Sequence, residues 1–140
     1  MGVAICMVAA VLAVSTPAYA FGTYPVGAIN WLERCGLVGR PGVHVVSHDY
    51  VGNYLELRFG DRANAYVDDR PDARTLLDYR AMRRFESGWR AAFDRSDADI
   101  VVWEARRRFP KAVAKLPGWK VVARRGQFVV LARDGIADGC

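Results

Sequence analysis

The sequence predicts an α/β domain: an open, mostly parallel sheet of about five strands, with helices on both faces and a C-terminal antiparallel hairpin, preceded by an N-terminal hydrophobic helix. Three observations predict this fold. Short β-branched runs alternate with segments of helical periodicity. The run ADIVVWEA (98–105) is almost continuously apolar, as in a strand buried on both faces. The last two runs, WKVVARR (119–125) and QFVVLAR (127–133), are separated by Gly126, which is typical of a hairpin.

The first half of the domain contains two predicted helices around one strand. The segment YPVGAINWLERCG (24–36) has apolar residues at helical spacing, with Pro25 suited to the first turn and Gly36 to the end. The β-branched run VHVVSH (43–48) follows as a strand. The next helix is predicted between Asp49 as N-cap and Gly60 as C-cap.

The same pattern then recurs. The segment NAYVD (64–68) is predicted to be a strand, and a long helix is predicted from Thr75 to Arg95, with a break at Gly88. Asp72 is placed to cap this helix. A short helix at Pro110–Leu116 precedes the hairpin.

Length and charge limit the functional classes. The 140 residues, 52% of them hydrophobic, suffice for one core, so we expect a single domain over residues 21–140. The formal net charge of +5 would suit nucleic acid, but the arginines are spread along the chain and interleaved with acidic residues. We therefore expect no nucleic-acid partner.

Residues 1–20 form a separate, uncharged segment, MGVAICMVAAVLAVSTPAYA. Its small residues at Ala18 and Ala20 fit cleavage by signal peptidase, whereas its missing basic residues and its length also suit an uncleaved membrane helix. Either interpretation exports the rest of the chain. We expect the extracytoplasmic face of the cell membrane as its location, with a secreted protein as the alternative. In an oxidising compartment, Cys35 and Cys140 would be free to form a disulfide.

Polar residues follow two of the predicted strands, where α/β sheets bind ligands. His48 and Asp49 follow the first strand, and Asp68, Asp69 and Arg70 follow the second. Tyr54 of the intervening helix completes the set of candidate ligand-binding residues. The aspartates also have a structural interpretation, as an ordinary junction between a strand and a helix. With two histidines in the chain, His44 and His48, a zinc site is not expected, and we assign no catalytic residue, metal or cofactor.

The order of short motifs resembles the C-terminal extracytoplasmic domain of bacterial polytopic membrane proteins that are similar to lipid-linked-sugar glycosyltransferases of the oligosaccharyltransferase and protein O-mannosyltransferase class. The resemblance covers nearly the whole chain. The motifs that carry it are Tyr24-Pro25, Trp31-Leu32, YVGNYL (50–55), AYVDDRPD (65–72), Asp78-Tyr79, Trp89, DADIVV (97–102), PGWKVV (117–122) and FVVLAR (128–133).

The sequence also departs from that family's pattern. Asn53 stands where a second glycine is expected, Tyr50-Val51 where a tryptophan is expected, and Asp69 where a glycine is expected. The multi-helix membrane portion that carries the acidic catalytic residues of that class is not in this sequence.

The resemblance implies a non-catalytic, membrane-tethered domain that assists recognition of an acceptor or a lipid-linked sugar, with a polytopic membrane protein as partner. The alternatives are a free secreted binding module matured after Ala20, and a small metal-dependent hydrolase that uses the strand-edge aspartates Asp68 and Asp69.

Overall fold

The computed structural model describes residues 24–63, 65–67 and 71–140, so the predicted N-terminal helix lies outside the described residues. Five α-helices and four strands are formed in this part of the chain. The helices are α1 (Val26–Arg34), α2 (Asp49–Phe59), which continues into a 3-10 turn (Gly60–Arg62), α3 (Ala73–Arg84), α4 (Trp89–Arg95) and α5 (Arg108–Val113). The strands are β1 (Val45–Ser47), β2 (Ile100–Glu104), β3 (Trp119–Arg125) and β4 (Phe128–Arg133).

The strands form one mixed sheet in the order β1-β2-β4-β3. β1 and β2 are parallel, with Ser47 opposite Val102, whereas β4 is antiparallel to both β2 and β3. The predicted α/β class and C-terminal hairpin are therefore present. The described sheet differs from the prediction in having four strands and a single parallel pair.

The predicted strand at residues 64–68 accounts for much of this difference. Ala65 makes one isolated parallel bridge to Val45, and the amide of Tyr66 donates to the Val45 carbonyl at 2.8 Å. At Val67 the chain lies against α2, because a Cβ atom built on Gly52 would stand 1.8 Å from the Val67 oxygen. This segment covers the outer edge of β1 at one point, without a continuous ladder.

Helices cover both faces of the sheet. Side chains alternate along β2, so Ile100 and Val102 join the core beneath α1 and α2, while Val101 and Trp103 join the core beneath α3, α4 and α5. All five residues of β2 are buried, as its apolar run predicts. The central strand therefore anchors two apolar layers.

Several helix boundaries follow from predicted caps. The Asp72 carboxylate accepts hydrogen bonds from the amides of Arg74 and Thr75 at 2.8 and 2.9 Å, and Gly60 ends α2 with φ of +56°. Gly88 separates α3 from α4, which confirms the predicted break. At α2, His48 occupies the N-cap position predicted for Asp49, which is instead the first helical residue.

A disulfide joins Cys35, which follows α1, to Cys140 at the end of the chain. Their Cα atoms lie 5.8 Å apart across 105 residues of sequence, a distance that suits the bond. It fixes the C-terminal segment against the first helix.

Candidate binding site

The parallel pair places two polar groups at one edge of the sheet. β1 ends at Ser47 and passes through His48 directly into α2, while Glu104 ends β2. The carboxyl ends of neighbouring parallel strands are the usual ligand-binding edge of an α/β sheet. His48 and Glu104 therefore mark the candidate site.

An open cleft of about 390 Å³ lies at this edge. We call it the tyrosine–glutamate cleft, and its lining residues are Tyr24, Tyr50, Glu104, Arg106 and Gln127. The Tyr24 ring lies edge-on to the Tyr50 ring, with 6.0 Å between the two centroids. The centroid of the Tyr24 ring lies 5.6 Å from that of the Tyr54 ring. The predicted residue Tyr54 thus contacts an aromatic wall of the cleft.

Glu104 is the charged centre of the cleft. Its Oε2 atom accepts from Nε of Arg107 at 2.8 Å and Nε of Arg106 at 3.2 Å, and its Oε1 accepts from the Tyr50 hydroxyl at 3.4 Å. Burial favours the neutral acid, but the two guanidinium groups outweigh it and lower the pKa of Glu104 below its ordinary value. Burial and the nearby carboxylate raise the pKa of Tyr50 to about 12. The cleft therefore offers a fixed anion beside the neutral hydroxyl of Tyr50.

His48 lies under the cleft and is only 5% exposed. Its Nδ1 atom is 3.3 Å from the hydroxyl of Tyr79, which also accepts from the amide of Asp49 at 3.3 Å. Its ring lies 4.1 Å from the Trp103 ring and stacks on Tyr50 at 5.4 Å, measured between centroids. Burial lowers its pKa to about 4, so the imidazole is neutral at pH 7. His48 is a packed support of the cleft floor.

Two buried nitrogen atoms in this cluster carry no hydrogen bond within the described part of the chain: Nε2 of His48 and Nε1 of Trp103. An unpaired buried polar atom weakens the folded state by about 1–3 kcal/mol. The cluster is thus held by packing more than by polar pairing.

The neutral state of His48 predicts a specific pH dependence. In the unfolded chain the imidazole takes up a proton near its ordinary pKa of 6.5, whereas in the folded protein it does so only near 4. The unfolded state therefore binds more protons between these values, and stability falls as pH falls through this window. We expect His48 to lower the free energy of unfolding by about 2 kcal/mol between about pH 7 and about pH 5.

Urea melts at several pH values measure this loss. A His48→Phe variant keeps a buried ring but cannot take up a proton, so its stability should fall much less over the same range. His44→Phe is the matched control, because His44 is exposed and, among the described residues, its ring hydrogen-bonds only at the Asp97 carbonyl. If the free energy of unfolding fell equally with pH in the wild type and in His48→Phe, protonation of His48 would not be the cause of the loss.

The predicted site residues have different outcomes. His48 lies buried beneath the cleft, and Asp49 is exposed, with its Oδ1 accepting from the Tyr50 amide at 2.8 Å. Tyr54 borders the cleft through Tyr24. Asp68, Asp69 and Arg70 lie outside the described residues.

The sequence reasoning missed the residues that form the cleft itself. Glu104 had a usable signal, since it is the charged residue that ends the otherwise apolar run of β2. Tyr24 and Gln127 had no such signal, because they lie 103 positions apart in the sequence and come together only in the folded chain.

The described residues also limit other kinds of site. Within residues 24–63, 65–67 and 71–140, no group of three or more His, Cys, Asp or Glu residues has the arrangement to hold a metal ion. No helix of this same part is long and apolar enough to cross a membrane.

Comparison with known proteins does not assign the site. No family model matches the chain, and no curated protein or solved structure does so either.

Proposed function

We propose that this chain is an extracytoplasmic, non-catalytic binding domain that recognises the sugar of an acceptor or of a lipid-linked donor on behalf of a glycosyltransferase-like membrane protein. The observation that carries the proposal is the tyrosine–glutamate cleft at the carboxyl edge of the parallel strands. The motif resemblance of the sequence supports the same class of ligand.

The chemistry of the cleft suits a sugar. The Glu104 carboxylate already accepts from Arg106, Arg107 and the Tyr50 hydroxyl, which leaves one lone pair of Oε1 to accept from a sugar hydroxyl. The Gln127 amide and the remaining N–H groups of Arg106 would donate to ring or hydroxyl oxygens of the sugar. Tyrosine rings offer apolar surface to the C–H face of the sugar. These groups surround one open cleft, which gives a saccharide both polar and apolar contacts.

The same groups favour binding over catalysis. Glu104 is held as an anion by Arg106 and Arg107, so it is a poor general acid near neutral pH. His48 is a weak base because burial keeps its pKa near 4. Neither group is set to exchange a proton with a substrate at pH 7.

The disulfide supports the proposed compartment. Disulfides persist mainly outside the reducing cytoplasm, and this one joins the first described helix to the C-terminus. It fits both a tethered domain and a secreted module cleaved after Ala20. Mass spectrometry of the exported protein separates these two, since an intact Met1 in the membrane fraction supports tethering and a mature N-terminus at Phe21 supports secretion.

Saturation-transfer NMR with methyl glycosides tests the ligand class. We expect one or more glycosides to bind, and Glu104→Gln to weaken that binding about tenfold, because a hydrogen bond to a charged group contributes about 1.5–3 kcal/mol. Gln127→Ala should weaken it about threefold to tenfold, through loss of a neutral hydrogen bond.

Each variant has a matched control. Asp78→Asn also neutralises a carboxylate that an arginine holds, since Arg95 binds Asp78 through Nε at 3.0 Å, but it lies away from the cleft. Asn53→Ala removes another exposed amide that does not line the cleft. Both controls should bind like the wild type. Equal losses in controls and cleft variants, or no glycoside binding at about 10 mM, which lies well above common weak affinities, would reject the sugar assignment.

A further inference from the structure

Basic residues are spread along the whole chain, but one segment lacks the acidic residues that interleave with them elsewhere. Between Glu104 and Asp134 the sequence has nine arginine and lysine residues and no acidic residue. The remainder of the chain has 11 basic and 15 acidic residues, which interleave. The excess charge of +5 therefore comes from the segment that forms α5 and the β3–β4 hairpin.

An open cleft of about 370 Å³ lies between α5 and the hairpin. We call it the basic cleft. Its charged groups are Lys111, Lys115 and Arg124, and its apolar lining includes Pro110, Val121 and Val129. Val129 belongs to the core beneath α3, α4 and α5, whereas Tyr50 packs on the core beneath α1 and α2. The basic cleft is thus separate from the tyrosine–glutamate cleft.

The three cations of the basic cleft have no anionic partner among the described residues. Three neighbouring cations do: Arg106 and Arg107 bind Glu104, and Lys120 binds Asp138 at 2.7 Å. The side chains of Lys111, Lys115 and Arg124 make no ion pair or side-chain hydrogen bond within residues 24–63, 65–67 and 71–140, and all three residues are exposed. Three cations around one cleft, with no anionic partner in the described part of the chain, attract an anion.

The apolar lining narrows the class of anion. Val121 is exposed at 38% and lies in the cleft with Ala114 and the buried Pro110. A free inorganic anion would leave this surface in water, whereas an amphiphile would cover it. Single-stranded nucleic acid usually stacks its bases on aromatic side chains, and none of those lines this cleft. An anion attached to an apolar chain fits better.

We propose that the basic cleft binds the phosphate of an anionic phospholipid headgroup, with Lys111, Lys115 and Arg124 around the phosphate and the first acyl carbons against Val121 and Ala114. Each lysine or arginine near an anionic lipid surface adds to the attraction, so three of them around one phosphate act together. The site would hold this face of the domain against the membrane surface.

Titration of the full chain in neutral detergent with soluble probes tests the proposal. The probes are dihexanoyl phosphatidic acid below its micelle concentration, glycerol 3-phosphate, dihexanoyl phosphatidylcholine and a single-stranded oligonucleotide. We expect phosphatidic acid to bind at least about tenfold tighter than glycerol 3-phosphate, because acyl carbons add apolar burial. The triple variant Lys111→Gln/Lys115→Gln/Arg124→Gln should lose most of this binding.

The matched control removes the same number of charges elsewhere. The triple variant Arg34→Gln/Arg62→Gln/Arg84→Gln changes three exposed arginines outside the cleft and should bind within about twofold of the wild type, since distant charges are screened. Thermal melts establish that both triple variants fold. Glycoside binding should persist in both, so a failure of the sugar assignment and a failure of the lipid assignment give different results.

Three results would overturn the proposal. Equal affinity for phosphatidic acid and glycerol 3-phosphate would show that the acyl chains contribute nothing to binding, which would exclude a lipid as the ligand. Equal loss of phosphatidic acid binding in both triple variants would show that the net charge of the protein causes the binding and the basic cleft does not. Oligonucleotide binding tighter than phosphatidic acid binding, and lost in the cleft variant, would assign the surface to nucleic acid instead.

Discussion

Replacing Gly52 with alanine should destabilise the protein by about 3 kcal/mol and lower Tm by on the order of 10 °C. A Cβ atom at this position would lie 1.8 Å from the oxygen and 2.9 Å from the carbonyl carbon of Val67. Both are backbone atoms, so the chain at residues 65–67 would have to move away from α2. Alanine raises helix propensity by up to about 1 kcal/mol at an interior position, which is too little to offset the clash.

Gly88→Ala is the matched control for this prediction. Gly88 has an ordinary φ of −83°, and an added Cβ would meet no atom within 4 Å. We expect its Tm to stay within a few degrees of the wild type, because an uncrowded change near a helix end costs about 1 kcal/mol or less. Thermal melts of both variants measure the difference. Similar Tm values for Gly52→Ala and Gly88→Ala would show that α2 and the segment at Val67 are not in contact.

Removing the disulfide should have the second large effect. The bond between Cys35 and Cys140 closes a loop over 105 residues of sequence, and constraining the unfolded chain over such a loop contributes roughly 4 kcal/mol. We expect the double variant Cys35→Ser/Cys140→Ser to unfold at a clearly lower urea concentration than the wild type. The wild type in dithiothreitol should behave like that variant.

Cys6→Ser provides the control, because Cys6 is the one cysteine that takes no part in this bridge. Its urea midpoint without reductant should equal that of the wild type, and reductant should lower both equally. A wild-type midpoint that is insensitive to dithiothreitol would mean that the bridge contributes no stability.

Much of the secondary structure could be predicted because its signals are local. A helix of 3.6 residues per turn gives its apolar stripe, and caps lie within a few residues of the ends that they satisfy. Asp72, Gly60 and Gly88 act at the boundaries predicted for them. The hairpin followed from two β-branched runs around Gly126, which adopts φ of +57°.

The sheet was harder to predict than its parts. The sequence favoured a mostly parallel sheet because strands and helices alternate, but β4 lies between β2 and β3 and is antiparallel to both. Strand order depends on the pairing of distant segments, for which a strand's own periodicity carries no information. The segment at Ala65 looked like a strand, yet it makes one bridge before it packs on Gly52.

The sequence by itself determined the fold class, most helix boundaries, the buried central strand and the place of His48 after β1, since each depends on residues close together in the chain. Only the tertiary structure decided that Tyr24, Glu104 and Gln127 share one cleft and that Cys35 meets Cys140. It also decided that Lys111 and Arg124 surround another cleft. The physical reason is that sites are made where distant segments pack, and each segment's own pattern records its buried face but not its neighbour.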